Sequence, residues 1–263
     1  MKLFGPNRKS IVSGSTKGIG FAIASALYGA GITVIVNGRG EDGVGGAIER
    51  IKYLNPDSNG QLIGFVGDLV DAKEVDRLYE SHPDAEIIVN NIGLYGAVDF
   101  DKSTDKDWFD IFDANVMSGV RLSRKYAPAL RRTGWGRIVF ISSESAINVP
   151  VEMIHYGFSK TAQLAISRGL AETFAGTGVT VNSVLPGPTF TDGVQEFVAS
   201  LGGANFDEFT EEYFRSVRPT SIIKRFSSPE EVGNVVAFVC SELASSITGA
   251  AIRVDGGAVK SCF

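Results

Sequence analysis

Short apolar runs rich in β-branched residues alternate with helix-patterned stretches along almost the whole chain. This alternation constrains the fold more than any single motif. Strands are read at residues 9–13, 32–36, 61–66, 86–90, 137–141, 179–184 and 250–254. Between them the 3.6-residue period predicts helices from Phe21 to Leu27, over 43–54, 71–79, 105–130 and 154–175, and from Pro229 onward. Ile32-Thr33-Val34-Ile35-Val36 is β-branched throughout, as a strand buried on both faces should be. Strand and helix in strict turn imply right-handed crossovers, hence a seven-stranded parallel sheet with helices on both faces. No linker or low-complexity stretch divides the chain, so 1–263 reads as one α/β, doubly wound domain.

Composition excludes several classes. The chain has 263 residues, 44% hydrophobic and 21% charged, enough to bury a substantial core and unlike a disordered chain. With 25 Lys and Arg against 30 Asp and Glu, the net charge of −5 argues against a basic nucleic-acid-binding surface. Two cysteines cannot make a disulfide framework, and Cys240, inside an apolar run, reads as a buried inert thiol. No apolar stretch reaches the roughly 18 residues of a membrane span. The opening apolar run breaks after two residues, too soon for a signal peptide. The expected location is the cytoplasm, with neither nucleic acid nor membrane as partner.

Doubly wound sheets bind ligands at the carboxyl ends of their strands. The first strand ends in Ser13-Gly14-Ser15-Thr16-Lys17-Gly18-Ile19-Gly20, a glycine turn opening a helix. There a pyrophosphate can approach backbone N–H groups at the helix N-terminus. The second strand ends in Asn37-Gly38-Arg39, without the carboxylate that would hold a free ribose 2′-hydroxyl. Arg39 and Lys17 instead suit a 2′-phosphate, which selects NADP(H) over NAD(H). Tyr156 and Lys160 stand at i and i+4 on one helix face, beyond a strand that ends in Ser142-Ser143. Asn115 lies inside the long helix before that strand. No Cys, His or carboxylate cluster has metal-ligand spacing, and His155 points away from Tyr156 as a structural or rim residue.

Together with Asn90-Asn91-Ile92-Gly93, Asp68, Pro186-Gly187 and Asp255-Gly256-Gly257, these residues resemble the short-chain dehydrogenase/reductase family over nearly the whole chain. The resemblance implies a Rossmann-type fold with Asn115, Ser143, Tyr156 and Lys160 as the catalytic set. Tyr156 would be the general acid and base, lowered about two pKa units by Lys160. Ser143 would hydrogen-bond the substrate oxygen, and Asn115 would bind a water linking Lys160 to solvent. The implied cofactor contacts are Gly14, Ser15, Thr16, Lys17, Gly18, Ile19 and Gly20, then Asn37, Arg39, Asp68, Leu69, Asn91 and Gly93. Tyr156, Lys160, Pro186, Gly187 and Thr189 complete them. Two residues depart from the family pattern: Ile92 stands where Ala is usual, and Glu144, read as reaching the substrate, follows the catalytic-type serine.

The implied activity is hydride transfer between NADP(H) and a small-molecule carbonyl or secondary alcohol. One alternative is a 3-oxoacyl-[acyl-carrier-protein] reductase, docking an acidic carrier through Arg131 and Arg132. Glu172 would oppose such a partner. An alternative of another class is a non-catalytic NADP-binding sensor or scaffold, which the complete catalytic set disfavours. Residues 188–228 break the strand–helix rhythm and read as a substrate lid. Its first helix carries Val194, Phe197, Val198 and Leu201, Gly202-Gly203 forms a hinge, and a second helix spans 207–217. An apolar lid predicts a substrate with hydrophobic bulk. Ala162, Ala165, Ile166 and Gly169 suit close helix packing between subunits, and with the resemblance they predict a homotetramer.

Overall fold

A computed structural model describes residues 3–195 and 205–262. Seven parallel strands form one sheet in the order β3-β2-β1-β4-β5-β6-β7. They are β1 (Lys9–Val12), β2 (Thr33–Gly38), β3 (Gln61–Val66), β4 (Ile87–Asn90), β5 (Gly136–Ile141), β6 (Val179–Pro186) and β7 (Ala251–Val254). β1, β2, β4, β5 and β6 are buried almost throughout, which explains their continuous apolar runs.

One face of the sheet is covered by α1 (Gly18–Gly29) and α2 (Glu41–Leu54). The opposite face carries α3 (Ala72–Ser81). Asp71 caps α3 as its sequence suggests, its carboxylate accepting from Lys73 N at 2.9 Å. The helix expected over 105–130 is interrupted. It consists of α4 (Asp105–Phe112), a π-helical turn (Asp113–Met117) and α5 (Ser118–Thr133). The wider turn holds Asn115, whose side chain binds a neighbouring loop, and π-bulges concentrate at functional sites.

α6 (Ile154–Thr173) joins α3 and α5 on one face, through Ile166 and Leu170. Of the residues expected to pack between subunits, Ile166 therefore faces the core, while Ala165 and Gly169 are exposed. Within 188–228, a helical turn begins at 192–195, and α7 (Phe206–Glu212) runs into a second π-helical turn (Tyr213–Val217). Phe197, Val198, Leu201 and Gly202-Gly203 lie outside the described residues. α8 (Pro229–Cys240) starts on a capping box between Ser228 and Glu231, with Pro229 at its first turn. It packs beside α1 through Gly233, where a Cβ would stand 2.8 Å from the Ala22 carbonyl oxygen.

Strand order reverses between β1 and β4, and the crevice at their carboxyl ends is where a doubly wound sheet binds ligand. Among the described residues no helix is long and apolar enough to cross a membrane. Nor, among them, do three or more His, Cys, Asp or Glu side chains form a group able to hold a metal ion.

Candidate active site

The glycine turn is held from below by side chains. Ser13 Oγ accepts from Asn91 N at 2.9 Å and from Ile92 N at 3.2 Å, tying the end of β1 to the end of β4. Asn91 Nδ2 donates to the carbonyls of Ser13 and Gly14, each at 3.0 Å. Asn37 Oδ1 accepts from Gly14 N at 3.0 Å while its Nδ2 donates to Gly67 O at 2.9 Å. Ser15 Oγ donates to Val12 O at 2.7 Å. The side chains of Ser15, Asn37 and Asn91, expected at the cofactor, are thus committed to shaping the turn. Gly14 and Gly18 have φ of +61° and +58°, and a Cβ on Gly20 would stand 2.4 Å from both Gly14 O and Asn91 Nδ2. Only a bare backbone fits there, and it leaves the mouth of the turn open.

That mouth faces a cavity of about 490 Å³ lined by Gly14, Thr16, Lys17, Arg39, Asp68 and Leu69, among others. The Leu69 side chain is buried in the core, so it contributes backbone. Lys17 and Arg39 are exposed at the rim, with no ion-pair partner among the described residues. A second cavity of about 260 Å³ continues from Lys17, Asn91 and Gly93 to Tyr95, Tyr156 and Lys160. The two make one cleft, cationic at one end and bearing a phenol at the other. An anionic dinucleotide fits this shape: a glycine cradle for the pyrophosphate, free cations for an adenosine phosphate, and Tyr156 at the far end.

At the Tyr156 end, α6 begins after β5 and two short 3₁₀ turns, Glu144–Ala146 and Val151–Met153. Lys160 is buried and Nζ donates to Ile141 O at 2.9 Å. Burial pulls its ammonium down to about 8. A Cβ on Gly93 would come within 3.3 Å of Nζ, so that glycine keeps the lysine's space open. Burial pushes the Tyr156 phenol up to about 12, and the Ser143 hydroxyl beside it pulls the other way. Lys160 Nζ lies 5.6 Å from the Tyr156 ring centroid and is turned onto the Ile141 carbonyl.

Asn115 is held by protein groups on both sides. Its Oδ1 accepts from Leu94 N at 2.6 Å, and its Nδ2 donates to Leu94 O and Ser159 Oγ, both at 2.9 Å. Its carbonyl accepts from Gln163 Nε2 at 2.6 Å. Asn115 therefore clamps the loop after β4 to α6, one residue before Lys160.

The family model described as "Enoyl-(Acyl carrier protein) reductase" matches residues 14–259. The chain is 43% identical to the uncharacterized oxidoreductase YvaG of Bacillus subtilis, with full coverage of both chains. It is 34% identical to the 3-oxoacyl-[acyl-carrier-protein] reductase FabG of Aquifex aeolicus, over 94% of this chain and 96% of that one. The L-sorbose reductase of Gluconobacter frateurii, solved with NADPH and L-sorbose, superposes with a TM-score of 0.90 at 29% identity, covering 99% of this chain and 100% of that one. The chain belongs to the short-chain dehydrogenase/reductase family.

As a short-chain dehydrogenase/reductase it is an oxidoreductase of carbonyl and alcohol groups. Several residues of its cleft escaped sequence reading. Ser13 carries the strand-to-strand tie, yet as one serine before a glycine it gives no signal. Tyr95 meets Tyr156 edge-on, with ring centroids 6.5 Å apart. Asp192 and Thr191 line the cleft beside Gly18, and Asp192 Oδ2 accepts from Gly18 N at 3.4 Å. Arg218 donates from Nε to Glu144 Oε1 at 2.9 Å. Other expected residues have structural duties. Thr189 Oγ1 turns back to Gly187 O at 2.9 Å, and Ile19 packs against the core. Asp255 accepts from Gly257 N and Val259 N at 3.0 Å each. His155 is buried against Trp108, as a structural histidine should be.

Proposed function

We propose that the chain transfers hydride between NADP(H) and a carbonyl or secondary-alcohol substrate, with Tyr156 as general acid and base. One observation carries this reading: Tyr156, Ser143 and Lys160 gather at one end of a cleft whose other end presents Lys17 and Arg39. When bound, NADPH supplies the hydride. Tyr156 remains protonated at neutral pH and donates its proton to the substrate oxygen. Ser143 O–H donates to the same oxygen and orients it. Lys160 uses one N–H on Ile141 O and offers its remaining donors to the cofactor ribose. Lys17 and Arg39 hold the 2′-phosphate.

The catalytic set disfavours a pure sensor or scaffold. Carrier-bound acyl substrates are disfavoured as well. Arg131 is engaged with Thr173 O and the Phe174 ring, and Glu172 stands exposed on α6, paired with Arg168. The same reading includes a homotetramer in the cytoplasm. Phe109, Phe158 and Ala165 leave an apolar surface exposed on α4 and α6. A panel of aldehydes and ketones screened by NADPH absorbance tests the activity. Turnover with NADPH and little with NADH supports it; binding of NADPH with no turnover of any carbonyl contradicts it.

A further inference from the structure

An exposed aromatic ring stands beside Tyr156. Tyr95, in the loop after β4, lines the same cavity of about 260 Å³ as Tyr156 and Lys160. Its ring meets that of Tyr156 edge-on, with centroids 6.5 Å apart and planes at 71°. It is 69% exposed, so most of the ring has no protein packed on it. A tyrosine on an open surface needs no explanation, but this one opens onto a cleft, against the reacting phenol. The loop that carries it is fixed on both sides. Leu94 N and O are bound by Asn115, and Val98 N donates to Glu152 O at 3.0 Å in the 3₁₀ turn before α6. Across the cavity the Tyr95 hydroxyl stands over Gly193, where a Cβ would come within 2.9 Å of it. The ring therefore bridges from the loop after β4 to the segment after β6.

Apolar side chains flank it. Leu94 is exposed beside Tyr95, and exposed Val149 packs over Gly157, the residue after Tyr156, where a Cβ would stand 2.6 Å from Val149 Cγ1. The carboxylate that lines this cavity, Asp192, is turned to Gly18 N in the glycine turn. A carbonyl oxygen that takes the Tyr156 proton lies within about 3 Å of the phenol oxygen. A substituent on that carbonyl is then within reach of Tyr95, the one ring paired with Tyr156 among the described residues. Tyr95 also stands two residues beyond Gly93, which borders Lys160 and the cofactor side of the site. Aromatic rings that stack or meet edge-on gain more than the area they bury, and the free face of Tyr95 offers that contact.

We infer that Tyr95 is a specificity-determining residue: its exposed ring packs against the substituent of the reacting carbonyl, making aryl ketones and aldehydes the favoured substrate class. This rests on the proposed carbonyl reduction by Tyr156 and narrows its substrate.

The test measures kcat/KM with NADPH for acetophenone and for 2-butanone, in native protein, Tyr95→Phe and Tyr95→Ala, with the Kd for NADPH followed in each. The ratio of acetophenone to 2-butanone should fall at least about tenfold in Tyr95→Ala. It should stay within about threefold of native in Tyr95→Phe, which keeps the ring, and the Kd for NADPH should move less than about threefold in either variant. An equal fall for both ketones, leaving the ratio unchanged, makes Tyr95 a support of its loop and overturns the inference while carbonyl reduction stands. A loss of NADPH affinity that matches the loss of rate assigns the ring to the cofactor and overturns it too. So does a ratio lost in Tyr95→Phe, which would put the selection on the hydroxyl, and so does native turnover of 2-butanone with none of acetophenone. No NADPH oxidation by native protein with any ketone or aldehyde overturns both the inference and the activity beneath it.

Discussion

At the scale of single residues, the two ends of the cleft make separable demands. Arg39 is exposed at the rim with no ion-pair partner among the described residues, so its contribution is screened and additive to that of Lys17. Arg39→Asp should raise the Kd for NADPH at least about tenfold and leave that for NADH within about threefold. Titration of both cofactors by fluorescence checks it. Lys160 makes a prediction about pH. Its ammonium is held at about 8 by burial, against an ordinary value near 10.5. Between those values the unfolded chain binds more protons than the folded one, so this group's destabilising effect lessens as pH rises. The cofactor-free protein should therefore gain about 2 kcal/mol from this site between pH 8 and 10. Lys160→Met should lose that gain, and denaturant melts of both proteins at the two pH values measure it. The sequence names these residues but not their states. Lys160 turns to Ile141 O because the end of β5 passes beneath α6, a contact that i, i+4 spacing does not contain.

At the scale of elements, hydrophobic periodicity is readable wherever a segment buries one face or two, and all seven strands lie where their apolar runs stand. The π-helical turn at Asp113–Met117 was not readable. It inserts within an unbroken helical pattern, and its hydrogen bonds from Asn115 reach Leu94 and Ser159, residues remote in sequence. The Glu144–Arg218 pair joins residues 74 apart for the same reason, although the odd glutamate after Ser143 was visible. Glycine motifs are readable as motifs, but their causes come from packing. Gly187 is needed because a Cβ there would lie 2.7 Å from the Asp255 backbone, where β6 runs beside β7. Gly187→Ala should destabilise by about 2 kcal/mol or more, since backbone rather than a side-chain tip must yield. Urea unfolding with an unchanged m-value would confirm it; a variant as stable as the native chain would remove close approach as the reason for this glycine.

At the scale of the whole molecule, the sheet brings the ends of β1, β2, β4, β5 and β6 to one edge, so a single cleft gathers residues from across the chain. Their convergence follows from strand order, which alternation of strand and helix already implied. The exposed apolar surface on α4 and α6 predicts assembly. Light scattering should give the mass of four 28.0 kDa chains, and Phe109→Glu with Phe158→Glu should lower it. A native mass of one chain would exclude the tetramer. The central claim is that Tyr156 delivers the proton in an NADPH-dependent carbonyl reduction. The most direct measurement is kcat for the best ketone of the panel, compared between the native protein and Tyr156→Phe with NADPH affinity followed in parallel. A fall of about 10²- to 10⁴-fold in kcat at unchanged NADPH affinity is the predicted result, and a phenylalanine variant that retains near-native turnover contradicts it.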